Sequence, residues 1–398
     1  MNDNINIVVI GAGMYSVGRG TNGFGTILPA INEWKRSGGA VGKVIFASTS
    51  GTSSEIVIKK SSKLREQTGV ALDVDAEPSS GIDQYAYKEI IAKILKPALA
   101  IIAVPDHLHY EVAKECLEAR LPVLIVKPLT PSSQEGLKLV KLAKSKGVYA
   151  AVEFHKRWDK ANLMMRDIIK QNKIGDLLYC WVEYSQRKSI PSKTFKAWTE
   201  KTTILQYLGI HYIDIIRFAT SAIPKRVMAI GQKNWLTSQG LDAYDSIQSV
   251  IEWELPNGKN FTQTILTNWI DPETSSSMSD QKIKVIGVKG RFESDQKNRG
   301  VVINVDESCV ENPNPYFCAE YSNEAGEKSW KGYGIDSIKT FLSDVANINA
   351  GIINIEKLQI DRPTFSEALI STLIVEAAHK SLDQGNIWIK IKNTKIQK

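Results

Sequence analysis

The chain has 398 residues, 43% of them hydrophobic and 23% charged. That is globular composition, it excludes a largely disordered polymer, and the length suits two domains of ~100–200 residues each. The formal charge of +7 is spread along the chain rather than gathered in one module, which argues against a nucleic-acid binder.

No apolar run approaches the ~18–20 residues needed to span a bilayer. The opening apolar segment Ile5–Ile10 has no basic leader and no small-residue cleavage site, so it reads as a strand rather than a signal peptide. The expectation is a cytoplasmic protein with no membrane partner. Cys116, Cys180, Cys309 and Cys318 lie far apart with no Cys-x-x-Cys pair, and read as reduced, mostly buried thiols.

In chain order, Ile5–Ile10 is a continuous apolar run that ends in Gly11-Ala12-Gly13, as a fully buried parallel strand does. Residues 26–34 carry helical spacing, 44–47 form a short strand, and 54–67 form a helix. Further strands are expected at 98–104, 123–126 and 148–154, with helices at 109–120 and 132–146. Strands alternating with helices of this length imply a doubly wound α/β domain with a parallel sheet. After about residue 155 the rhythm changes. Helices at 161–171 and 203–218 flank a strand at 177–186, and β-rich runs follow at 226–231, 245–255, 259–269, 281–288 and 300–305. Turns such as Pro256-Asn257-Gly258 suit hairpins, so the second domain is expected to be α+β with a large, open, mainly antiparallel sheet. Helices at 335–349 and 366–384 and a strand at 387–391 complete it. The boundary is placed between 153 and 154.

The chemistry begins at the glycine loop. Gly11 and Gly13 close the first strand, where glycines let backbone N–H groups approach a pyrophosphate. Position 16 is Ser16, so the third glycine is Gly25, with Met14–Phe24 as an insertion. The second strand ends Ala47-Ser48-Thr49-Ser50, without the acid that would bind the ribose of NAD. Ser48 and Ser50, with Lys59 or Lys60 downstream, point to a 2′-phosphate and so to NADP ahead of NAD. The competing reading is that the hydroxyls only cap the next helix.

Ala103-Val104-Pro105-Asp106-His107-Leu108-His109, followed by Val126-Lys127-Pro128, resembles the Gfo/Idh/MocA family of NAD(P)-dependent oxidoreductases. So do Phe154-His155-Lys156-Arg157-Trp158-Asp159, Leu208-Gly209-Ile210-His211-Tyr212-Ile213-Asp214 and the late segment 287–300. These segments cover nearly the whole chain in the family's order. The resemblance implies a Rossmann domain, hydride transfer between nicotinamide and a carbinol of a sugar, sugar nucleotide or cyclitol, and a homodimer or homotetramer. It implies that Lys127 contacts the reacting hydroxyl and the nicotinamide, that His211 is the catalytic histidine, and that Pro105 and His109 lie beside the cofactor.

Two positions depart from the family pattern: Val126 stands where a glutamate is usual, and Tyr207 where an aspartate is usual. Tyr207 reads either as an alternative acid/base or as a bulky replacement that ends catalysis. Arg157 reads as an anion-binding guanidinium or a surface ion pair, and Trp198 as a sugar-stacking ring or core packing. Asp214 joins Tyr207 and His211 at spacings of four and three on one helical face. Asp106, His107 and His109 lack further ligands at a metal spacing, so no metal is expected. A cofactor-binding sensor without turnover, and redox-assisted glycoside cleavage, are the alternative functions.

Overall fold

The computed structural model describes residues 4–306 and 310–391. Cys309 and the basic residues of the tail, Lys395 and Lys398, lie outside the described residues. The chain divides into two compact units. Met1–Thr130, Gln134–Trp158 and Tyr316–Ala368 make the first; Pro131–Ser133, Asp159–Pro315 and Leu369–Lys398 make the second. Residues 316–368 therefore fall with the first unit, where a single boundary at 153/154 puts them in the second.

The first unit is built on β1 (Ile5–Ile10), β2 (Val41–Ala47), β3 (Asp73–Glu77), β4 (Ala98–Ile102), β5 (Val123–Val126) and β6 (Ala150–Glu153). All pair in parallel, in the order β3-β2-β1-β4-β5-β6. Every residue of β4 is buried, as expected of a central parallel strand covered on both faces. Helices Ile27–Arg36, Gly51–Thr68, Ala86–Lys93, His109–Glu118 and Ser133–Lys146 make the crossovers. Strand order reverses between β1 and β4, which opens a crevice at their carboxyl ends, the place where such sheets bind ligands. The sequence reading has no counterpart of β3. Its Asp-Val-Asp-Ala-Glu pattern alternates exposed and half-buried residues, and the acids keep an edge strand from pairing further.

The returning segment completes this unit's core. Helix Tyr333–Asn349 lies on helix Ile27–Arg36, where Trp34 Nε1 donates to Ser343 Oγ at 3.1 Å. Phe341 stacks on Tyr149 with centroids 5.3 Å apart. The hairpin Ala319–Ser322/Lys328–Lys331 sets Trp330 edge-on to Phe24 at 5.5 Å. These contacts bury large aromatic area, the dominant stabilising term in such a core.

The second unit holds β7 (Leu177–Arg187), β8 (Ile223–Gln232), β9 (Ser246–Glu254), β10 (Asn260–Asp271), β11 (Ser279–Gly287) and β12 (Gly290–Asp295). Their order is β12-β11-β7-β10-β9-β8, with the two-residue strand Ile389–Lys390 at the far edge. Only the β7–β10 pair among these is parallel. Buried and half-buried residues alternate along β9 and β10, the period of a sheet with one covered face. Gln263, fully buried, donates to Tyr212 O at 2.9 Å and accepts from Trp253 Nε1 at 3.1 Å, so its amide costs little to bury.

Two expectations need correction. Residues 300–305 make no strand; only an isolated bridge joins Ile303 to Glu311. Val301, Val302, Ile303 and Val305 are exposed there, with no neighbouring strand to pair with. The single helix expected over 203–218 is instead a π-turn, Leu205–Gly209, that feeds the α-helix Ile210–Thr220. Gly209 fits that junction because a Cβ there would crowd Leu205 and approach Thr267 of β10.

Asp159 caps helix Lys160–Lys170 by accepting from Ala161 N, and also pairs with Arg299 at 2.5 and 3.2 Å. The two side chains are 0% and 8% exposed. Removing one member strands a buried charge, so Arg299→Met is expected to cost about 3–5 kcal/mol in urea unfolding. A loss no larger than that of a surface substitution would show the pair to be solvated.

Candidate active site

Gly11 sits at φ +105°, and a Cβ there would collide with the carbonyl of Ala103, the residue after β4. Gly25, at φ +73°, has the carbonyls of Met14 and Tyr15 equally close. Both positions therefore demand glycine for reasons internal to the protein. Gly13 differs. A Cβ on it would meet no protein atom within 4 Å, so the space beside it is open at the carboxyl edge of β1. The inserted residues form a single helical turn, Met14–Val17, after which Thr26 N returns to Tyr15 O at 2.7 Å.

At the end of β2, Ser48 Oγ donates to Ser50 O at 2.8 Å, and Ser50 Oγ accepts from Ser53 N to cap helix Gly51–Thr68. The capping role is thus present. Lys60, expected near a phosphate, is committed elsewhere: its ammonium donates to Thr21 O at 2.8 Å and to Gly23 O, clamping the glycine-loop insertion. The cation beside the serines is Arg19, whose Nη1 donates to Ser53 Oγ at 2.8 Å. No spacing rule for the glycine motif brings an inserted residue to the second strand, so the sequence reading lacks Arg19.

Lys127 follows β5, and the Lys127-Pro128 bond is cis. Lys127 is half-buried, and desolvation lowers its pKa from 10.5 to about 8 against the opposing charges of Asp106 and Glu153. Asp106 is buried, and follows Pro105 at the start of a short turn after β4. His109 is fully buried, with Nδ1 2.7 Å from Pro128 O and Nε2 3.0 Å from Val104 O. Both ring nitrogens are engaged, so His109 ties the β4 and β5 loops together.

Glu153 ends β6 and is 3% exposed. Ser337 Oγ donates to its Oε1 at 2.6 Å, and His155 Nδ1 lies 2.9 Å from its Oε2. Tyr15 lies close enough that burial and the Glu153 charge hold its phenol well above its usual pKa. The sequence reading missed Glu153, although an acid closing the otherwise apolar Ala150-Ala151-Val152 was a visible signal. Arg157, on the turn after β6, is 4% exposed, which excludes a surface ion pair.

The second unit gathers the other residues. His211 and Asp214 are buried on helix Ile210–Thr220, and Tyr207 stands on the π-turn before it. The Tyr207 ring meets Phe195 at 5.0 Å, Trp198 at 5.8 Å and Trp269 at 6.1 Å. Trp198 itself packs on Phe195 at 4.5 Å. π-turns of this kind recur at functional sites. Thr203, just upstream, hydrogen-bonds His379 Nε2 at 2.8 Å.

Residues 5–154 match the oxidoreductase family with an NAD-binding Rossmann fold, and residues 162–293 match the GFO/IDH/MocA C-terminal domain. The chain belongs to the Gfo/Idh/MocA family. Among characterised relatives, it is 33% identical over 121 residues to scyllo-inositol 2-dehydrogenase (NADP(+)) of Bacillus subtilis, covering 29% of this chain and 33% of that one. It is 38% identical over 79 residues to inositol 2-dehydrogenase of Corynebacterium glutamicum, covering 20% and 23%. The matched stretches thus span a third or less of either relative. An inositol dehydrogenase homolog from Azotobacter vinelandii, solved with NADH and myo-inositol, superposes with a TM-score of 0.67 at 16% identity, covering 98% of each chain. At that identity the likeness is one of fold.

The residues of this Gfo/Idh/MocA chain fit a dinucleotide: open space beside Gly13, serines and Arg19 at the end of β2, and Lys127 at the crevice. Among the described residues no group of three or more His, Cys, Asp or Glu side chains could hold a metal ion, and no helix is long and apolar enough to cross a membrane. Burial leaves Cys116 and Cys180 as thiols, since it raises both pKa values.

Below about pH 8 the folded and unfolded chains both carry the Lys127 proton, and the fold bears the cost of a dry ammonium. Between about 8 and 10.5 only the unfolded chain holds it, so this group makes stability rise with pH across that window. Lys127→Met is expected to remove that slope, read by thermal scans across pH. An unchanged slope would mean a solvated lysine.

Proposed function

We propose that this chain catalyses NAD(P)-dependent hydride transfer at a carbinol of a sugar, sugar nucleotide or cyclitol, with cyclitols first because relatives bear inositol dehydrogenase names. The observation that carries this reading is Lys127, a desolvated ammonium held at the carboxyl end of β5, where open α/β sheets bind ligands. The bound nicotinamide would supply the redox chemistry. Lys127 donates to the reacting oxygen and favours its alkoxide. His211, with Tyr207, accepts the hydroxyl proton. Arg157, Trp198 and Asp214 bind the rest of the substrate. The half-covered sheet of the second unit is the surface through which a homodimer or homotetramer would form, and the cytoplasm is the proposed location.

NADP is proposed ahead of NAD. Arg19 and Ser50, with Ser53, gather a guanidinium and two hydroxyls at the end of β2, a strand that itself ends without an acid.

The test is nicotinamide absorbance with NADP or NAD and a panel of inositols, sugars and sugar nucleotides. Turnover that needs a polyol and falls by about 10²–10³-fold in Lys127→Ala supports the reading. Silence with nucleotide binding intact supports a sensor, and cleavage without net nicotinamide change supports redox-assisted glycoside chemistry. Arg19→Ala is expected to weaken NADP about tenfold relative to NAD, the size of one charge-assisted hydrogen bond. Equal weakening of both cofactors would return Arg19 to a loop-holding role.

A further inference from the structure

We infer that Glu153 is the positioning carboxylate for the Lys127 ammonium, supplied from β6 because position 126 on β5 is valine. The inference deepens the proposed role of Lys127 and rests on that reading for its catalytic meaning.

The geometry begins with register. Val126 and Glu153 are direct partners across the β5–β6 pair, and neighbouring strands lie only ~4.8 Å apart. An acid at 153 therefore ends its strand level with the residue that immediately precedes Lys127. A buried ammonium needs compensating negative charge close by. The carboxylates whose charge reaches Lys127 are Asp106, from the loop after β4, and Glu153, from β6.

Glu153 is also built to stay put. One oxygen accepts from Ser337, on helix Tyr333–Asn349 of the returning segment, and the other faces His155 Nδ1. Tyr15 of the glycine loop lies against the same carboxylate, itself beside Tyr333 and Cys318. The His155 ring is sandwiched by Tyr333, stacked at 5.6 Å, and Phe317 at 5.1 Å. A carboxylate held from several directions has little freedom to follow Lys127, so the lysine takes its position from the acid. The network also joins the glycine loop, β6 and the lysine at one group, so that cofactor loop and oxygen-binding residue share an anchor.

The experiment reads Lys127 directly and needs no substrate. Trace acetylation with acetic anhydride across pH, followed by peptide mass spectrometry, gives the midpoint at which Lys127 loses its proton. Glu153→Gln keeps size and removes charge, and is expected to lower that midpoint by about one pH unit, the low end for loss of a neighbouring opposite charge. Asp106 remains and keeps the shift partial. Adding Val126→Glu to Glu153→Gln is expected to bring the midpoint back up, which a purely structural role for Glu153 would not produce. If a polyol substrate is found, the alkaline limb of kcat/KM moves down with the midpoint in Glu153→Gln and returns in the double variant. An unchanged midpoint in Glu153→Gln overturns the inference. So does a lowered midpoint that Val126→Glu fails to restore. A shifted midpoint in a protein that turns over no substrate leaves the positioning role standing and rejects the dehydrogenase reading.

Discussion

A single balance organises the crevice of the first unit: the Lys127 ammonium is partly desolvated and yet remains charged near neutrality. Dehydration pulls the Lys127 proton off, and nearby carboxylates put it back. The balance is struck by elements far apart in sequence. β5 carries the lysine, the β4 loop brings Asp106, β6 brings Glu153, and His109 binds the β4 loop to the β5 loop through two carbonyls. A buried charge is a poor stabiliser. This one lies at the crevice of an open α/β sheet, where such folds bind ligands.

The cofactor side shows how an insertion is put to use. The eleven or so residues that separate Gly13 from Gly25 would be a liability as a floppy loop. Here they are fastened at several points: by Lys60 onto Thr21 and Gly23, by Thr26 onto Tyr15, and by Arg19 onto Ser53. The last of these carries a cation to the end of β2. The same tether that holds the insertion thus sets the charge at the end of β2.

Much of this was legible in the sequence where local chemistry decides. Gly11 and Gly25 are glycines because carbonyls crowd them, and apolar β1, β4 and β5 are apolar because both faces are covered. The family motifs drew attention to Lys127, which follows β5, and to His211, which is buried on helix Ile210–Thr220. What the sequence concealed depends on long-range pairing. Glu153 matters because of what lies across the strand, and Arg19 because of where the insertion folds. Lys60 looked like a phosphate ligand and is a clamp, a difference visible only in its carbonyl partners. The apolar run at 300–305 has strand composition but makes only an isolated bridge, and the helix expected over 203–218 hides a π-turn ending at Gly209, where a side chain would crowd Leu205.

The path of the chain between the units has a consequence for the order in which the protein is made. Residues 316–368 supply Trp330, Phe341, Ser343 and Ser337 to the first unit. A nascent chain that has released only its first 158 residues holds a complete parallel sheet but an uncovered face, with Trp34 and Tyr149 waiting for partners almost two hundred residues or more downstream. Domains usually fold as units while the ribosome works. Here the amino-terminal unit closes only after most of the second has emerged, so long-range closure is a late step, and the buried acid network at Glu153 is completed with it.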